Sequence, residues 1–113
     1  MAFLDIVILD DKKNEIFSVS LDSRTHQDLI RMANPPAKFS HIHRLQDFYK
    51  DAKFESTEID NLMRELAQFR SALESASSLS REAKNNVIKF LKDFEKLCEL
   101  AQSLGLEIHC FSD

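Results

Sequence analysis

Apolar and polar residues alternate near both ends of the chain, and between them apolar residues recur every three or four positions. This pattern predicts strands flanking a helical middle. Phe3 to Leu9 is rich in β-branched residues, and Asp10-Asp11-Lys12-Lys13-Asn14 behind it is a polar turn, so a strand opens a hairpin. The second strand covers Glu15 to Leu21, where Phe17, Val19 and Leu21 alternate with Ser18 and Ser20. Its apolar face matches Leu4, Ile6 and Ile8 of the first strand. Asp22 or Ser23 then caps a short helix with His26, Leu29, Ile30 and Ala33 on one side. Asn34-Pro35-Pro36 stops it, because proline lacks the amide hydrogen and pushes the residue before it into extended geometry.

A second helix is expected from Phe39 or Ser40 to about Ala52, on the spacing of Ile42, Leu45, Phe48 or Tyr49, and Ala52, with Phe54 turning back into the core. Ser56 or Thr57 caps a third helix. Its apolar face is Ile59, Leu62, Met63, Leu66, Phe69 and Leu73, and its outer face Glu58, Asn61, Glu65 and Gln68. After a serine-rich joint over 74–79, Ser80 caps the longest helix, with Glu82 in the first turn where the dipole favours negative charge. Its stripe runs through Val87, Phe90, Leu91, Phe94, Leu97, Cys98, Ala101 and Leu104. Gly105, the only glycine, falls where a left-handed terminus requires one. Leu106 to Phe111 alternates as a last strand that buries Leu106, Ile108 and Cys110. The expected fold class is α+β: an N-terminal β-hairpin, about four helices and a C-terminal strand, with a three-stranded sheet in order 2-1-3 covered by helices on one face. The other sheet face carries Asp5, Val7, Ser18, Ser20, Glu107, His109 and Phe111.

Composition narrows the class. A chain of 113 residues predicts a single domain over 1–113, and 43% hydrophobic with 30% charged residues are the proportions of a folded protein. Nine Phe and no Trp point to a phenylalanine-rich core. The net charge of −4 argues against nucleic-acid binding, which draws its affinity from clustered Lys and Arg, and favours a basic protein partner. The first apolar run reaches only from Ala2 to Leu9, is interrupted by Asp5 and has no basic segment ahead of it. A cytoplasmic protein with no membrane span is therefore expected.

Candidate chemistry is sparse. His41 and His43 are two residues apart and point to different sides of a helix, so they do not share a metal ion; no metal or other cofactor is expected. His26, on an apolar helix side, reads as a hydrogen-bonded core residue. Cys98 and Cys110 occupy apolar positions and read as reduced, packed thiols with no nucleophilic role. A single glycine cannot build a phosphate cradle or a nucleophile elbow. The densest polar stretch is Leu45 to Phe54 running on to Glu58, where Asp47, Asp51, Glu55 and Glu58 surround Tyr49. These carboxylates form either an acid–base or metal pair, a plain solvated face, or a recognition patch. Tyr49 favours recognition, since a tyrosine joins a large contact area to a polar tip. Asp47, Tyr49, Asp51, Glu55 and Glu58 are thus the expected partner-binding residues, with no catalytic residues and no enzymatic activity expected.

The sequence resembles a group of small bacterial immunity proteins, the cytoplasmic antidotes encoded beside polymorphic or contact-dependent growth-inhibition toxins. The resemblance lies in the N-terminal hairpin, Ser23-x-x-His26-x-x-Leu29, Leu45-x-Asp47-Phe48-Tyr49-x-Asp51-x-x-Phe54, Glu58-x-x-x-Leu62-x-x-Glu65-Leu66, and the Gly105-Leu106 ending that closes with Asp113. It implies tight binding to a cognate toxin domain, often a nuclease, and no catalysis. Two other classes fit the same residues. One is a homo-oligomeric structural or regulatory protein, such as a homodimer paired through the open sheet face or a strand edge. The other is a small metal-dependent enzyme using His41, His43 and the carboxylates.

Overall fold

In the computed structural model, which describes residues 3–34, 37–45, 52–76 and 80–112, the chain is α+β. The hairpin forms where the β-branched pattern places it: β1 (Phe3–Leu9) pairs antiparallel with β2 (Glu15–Asp22). Asp10 organises the turn by accepting from Lys12 N at 2.9 Å and Asn14 N at 2.8 Å, and these backbone donors hold its carboxyl below the usual range. Lys13 takes a left-handed φ of 63°, and pairing slips from Ile8–Phe17 to Leu9–Glu15, so Ile16 is the extra residue of a bulge.

β4 (Ile108–Ser112) pairs antiparallel with the other side of β1, and β3 (Ala52–Phe54) pairs antiparallel with β4. The sheet is therefore four-stranded, in order β2-β1-β4-β3. The expected 2-1-3 arrangement of hairpin and C-terminal strand holds, and a short fourth strand is added outside it. This corrects the helix expected to reach Ala52. Residues 37–45 form turns and one 3-10 turn at Ile42–Leu45, and Ala52 already belongs to β3. Gln46 to Asp51 lie outside the described residues. Ala52 and Phe54 face the core two positions apart, and the pairing β4 offers satisfies their backbone, which helical spacing alone does not reveal.

Three α-helices are present among the described residues, one fewer than expected. α1 (Ser23–Met32) is capped by Asp22, whose carboxylate accepts from Thr25 N at 2.7 Å. α2 (Ile59–Ser75) follows directly on a 3-10 turn at Ser56–Glu58, so neither Ser56 nor Thr57 caps it by a side-chain bond. α3 (Arg81–Leu104) ends at Gly105, whose φ of 68° lets Leu106 N reach Ala101 O at 3.0 Å. None of them is long and apolar enough to cross a membrane, among the described residues.

The helices cover one sheet face. Leu4, Ile6, Ile8, Val19, Leu21, Phe54, Ile108 and Cys110 join the apolar stripes of α2 and α3 in one core, where Phe39 meets Phe69 at 5.1 Å and Phe90 meets Phe94 at 5.6 Å between ring centroids. Three side chains depart from the expected pattern. Phe17 is 40% exposed although it aligns with Val19 and Leu21, because the edge strand carries it past the helices. Leu106 is only partly buried, since β4 starts two residues after it. Val7, on the open face between its cross-strand neighbours Ser18 and His109, is nevertheless buried.

Candidate partner-binding site

Residues 37–45 contribute three buried apolar side chains, Phe39, Ile42 and Leu45, that fasten this connection to the core. Three histidines then tie it to the rest of the fold, two of them through backbone carbonyls. His26 of α1 bonds through Nε2 to the carbonyl of Leu45, and His43 through Nε2 to the carbonyl of Ala33 at 2.6 Å. A carbonyl only accepts, so both rings carry their proton on Nε2. The ring of His41 goes elsewhere: Nδ1 donates to Glu65 Oε2 at 2.7 Å, and the second oxygen of Glu65 accepts from Ile42 N at 2.9 Å.

Helical spacing puts Glu65 on the polar outer face of α2. It is instead 7% exposed, because the 3-10 turn lies over it and supplies two donors that replace water. No periodicity signals this residue, since position 65 borders the apolar stripe of Leu62, Leu66 and Phe69 and only the tertiary fold decides which side of the border it takes. His26 is the hydrogen-bonded core histidine that its place on an apolar helix side implies.

The chain leaves this pinned frame at Leu45 and re-enters it at Ala52, opposite Cys110 in the sheet. Asp47, Tyr49 and Asp51 fall between these two points and lie outside the described residues. Glu55 and Glu58 flank the re-entry. Glu55 is exposed, while Glu58 is half-buried and gripped by the guanidinium of Arg44, with Nη1 on Oε2 and Nη2 on Oε1, the latter at 3.1 Å. That bidentate contact holds the Glu58 carboxyl below its ordinary range and raises Arg44 in turn. Arg44 also lies over the Phe54 ring, 5.3 Å from its centroid, and donates to the Lys53 carbonyl at 3.4 Å. Lys53 meets Glu107 of the loop before β4 at 3.4 Å.

The corner therefore presents Glu55 as an open carboxylate and Glu58 as one already neutralised by Arg44. A carboxylate that orients an imidazole, as Glu65 does His41, is one half of a general-base device. Here the same carboxylate also holds a backbone amide, and His41 makes no second hydrogen bond among the described residues. Nor do three or more His, Cys, Asp or Glu side chains converge as metal ligands among those residues. The thiols lie within the core: Cys98 is buried in the stripe of α3 and its pKa is pushed up to about 12, chiefly by burial, and Cys110 is buried in β4. Comparisons with protein-family models, curated proteins and solved structures found no significant match.

Proposed function

We propose that the chain is an immunity protein that neutralises a cognate toxin domain by binding it, using the acidic segment from Asp47 to Glu58. The observation that carries this reading is the frame on either side of residues 46–51, where that segment begins. His26 fixes its start through the Leu45 carbonyl and β3 fixes its end, so six residues bearing two carboxylates and a tyrosine are spanned between two anchored points. Anchored ends reduce the entropy lost when such a segment is held by a partner. Asp47, Asp51 and Glu55 supply negative charge toward a basic cleft, and Tyr49 supplies contact area. Glu58 contributes only where a partner's cation competes with Arg44 for it. The resemblance to immunity proteins points the same way, with a basic toxin domain, such as a nuclease, as partner.

The test is co-expression with the toxin-like domain encoded by the neighbouring reading frame, followed by affinity measurement on the purified pair. A stable complex is expected, and Asp47→Lys with Asp51→Lys weakens it by at least about tenfold, mainly by slowing association, while the circular dichroism spectrum stays unchanged. Absence of a complex, or toxicity undiminished by the chain, overturns the reading. Full affinity in the double variant overturns the placement of the surface alone.

A further inference from the structure

β2 closes one end of the sheet, so one side of its eight-residue backbone has no strand partner among the described residues. Glu15, Ile16, Phe17 and Ser18 are exposed one after another, which means that both faces of this half of the strand reach solvent. Ile16 and Phe17 are 44% and 40% exposed, two large apolar side chains side by side on one edge. From Ile16 to Leu21 the strand carries no charge, no proline and no glycine. An open edge of this kind is a template for another strand, and proteins ordinarily blunt such edges with lysine, proline or brevity.

Charge identifies the occupant. Both ends of the uncharged run are acidic, at Glu15 and Asp22. Beside the second half of the strand, a groove of about 230 Å³ separates β2 from α3, with Ser20, Asp22, Asn86, Lys89 and Asp93 on its walls. It holds two carboxylates against one lysine. Two copies of β2 paired antiparallel along their full length would set Glu15 of each against Asp22 of the other, between molecules that each carry a charge of −4. A segment with cations at those two positions makes both contacts attractive. We propose that β2 is a docking edge for an extended segment of another protein, apolar or hydroxyl-bearing in its middle and carrying Lys or Arg where it faces Glu15 and Asp22. Backbone hydrogen bonds set its register, Ile16 and Phe17 cover its apolar side chains, and the groove takes the cation beside Asp22 and Asp93. This edge lies at the opposite end of the sheet from β3 and does not depend on what binds the segment from Asp47 to Glu58.

Three capped peptides as long as β2 test the assignment on the full chain by NMR: Arg-Val-Thr-Val-Thr-Val-Thr-Arg, the same peptide with Glu at both ends, and the Arg-ended peptide with a central proline. The Arg-ended peptide is expected to shift the amides of β2 and protect them from exchange. The Glu-ended peptide is expected to bind about tenfold more weakly, and the proline peptide to give no protection. Ile16→Lys with Phe17→Lys, both at exposed positions, abolishes the protection while leaving the spectrum of α2 and α3 intact. Equal affinity for the Arg- and Glu-ended peptides, shifts that map away from β2, absence of saturable binding, or a dimer formed through β2 without peptide overturns the proposal.

Discussion

Replacing Glu65 by alanine removes one acceptor from two donors, Ile42 N at 2.9 Å and His41 Nδ1 at 2.7 Å. Ile42 is fully buried, so its amide finds no water in exchange. A hydrogen bond to a charged acceptor contributes roughly 1.5–3 kcal/mol net, and an orphaned buried donor costs about 1–3 kcal/mol. These describe the same event at Ile42, which sets its share at about 2–3 kcal/mol. The His41 side chain, 19% exposed, can turn toward solvent and adds about 1 kcal/mol at most. The expected cost of Glu65→Ala is therefore about 2–4 kcal/mol, a large part of the roughly 5–15 kcal/mol that a domain of this size holds. In urea, with a slope of roughly 1–3 kcal/mol per molar, the midpoint falls by about 1–2 M. Glu65→Gln keeps a carbonyl oxygen for Ile42 N and offers its amide to a neutral His41 of the other tautomer. Its expected cost is about 1 kcal/mol. Hydrogen exchange locates the effect, because the Ile42 amide loses protection in Glu65→Ala before the amides of β1 do. An alanine variant within about 0.5 kcal/mol of the parent, or a glutamine variant as damaging as alanine, refutes the assignment of Glu65 as the acceptor that holds the 3-10 turn.

Two further outcomes follow from local geometry. Gly105 has a φ of 68°, and no atom beyond its own residue and its chain neighbours lies within 4 Å of where an added Cβ would stand. Gly105→Ala therefore costs only backbone strain of about 1–2 kcal/mol and lowers the melting temperature by about 4–8 °C, while Gly105→Asn loses less. Cys98 is protected from alkylation at pH 8 until the protein unfolds, as mass spectrometry with and without urea will record. Its folded pKa, about 12, stands above the ordinary 9.0, so the folded state retains a proton that the unfolded state has released. Stability from this thiol is complete below pH 9.0 and is lost as pH rises from there toward about 12, a loss that Cys98→Ala removes.

The elements legible in the sequence are those whose own residues determine them. β2 alternates with period two, β1 is a run of apolar and β-branched residues broken only by Asp5, and the stripes of α2 and α3 run for several turns at helical spacing. Each buries one face whatever its neighbours are, so Leu62, Leu66, Phe69, Phe90 and Phe94 lie where their spacing puts them. β3 was not legible, because three residues carry too little pattern and its formation depends on the edge that β4 leaves open. The turn at Ile42–Leu45 was not legible for the same reason. Its apolar positions fit a helix, and what stops the helix is a set of tertiary bonds to Glu65, His26 and Ala33. Of the candidate site, Glu55 and Glu58 are found on the surface beside β3, but the pairing of Glu58 with Arg44 joins residues fourteen positions apart and leaves no trace in spacing.

The two ends of the sheet differ in a way that bears on which surface needs a partner. β3 is only three residues long, Arg44 donates to its Lys53 carbonyl, and Lys53 itself is an edge lysine held by Glu107. Brevity, charge and a covering side chain are the devices that keep a strand edge from recruiting another chain. β2 has none of them between Ile16 and Leu21. It is more than twice as long, and it leaves Ile16, at the bulge, and its neighbour Phe17 in solvent. One edge is thus covered by three means along its whole length, while the other has a bulge and two terminal carboxylates but leaves Ile16 to Leu21 uncharged and uncovered. The cost of the bare edge, in solubility and in mispairing, is offset when an occupant covers it, and the acidic residues at its two ends restrict that occupant to a cationic segment over a second copy of the chain.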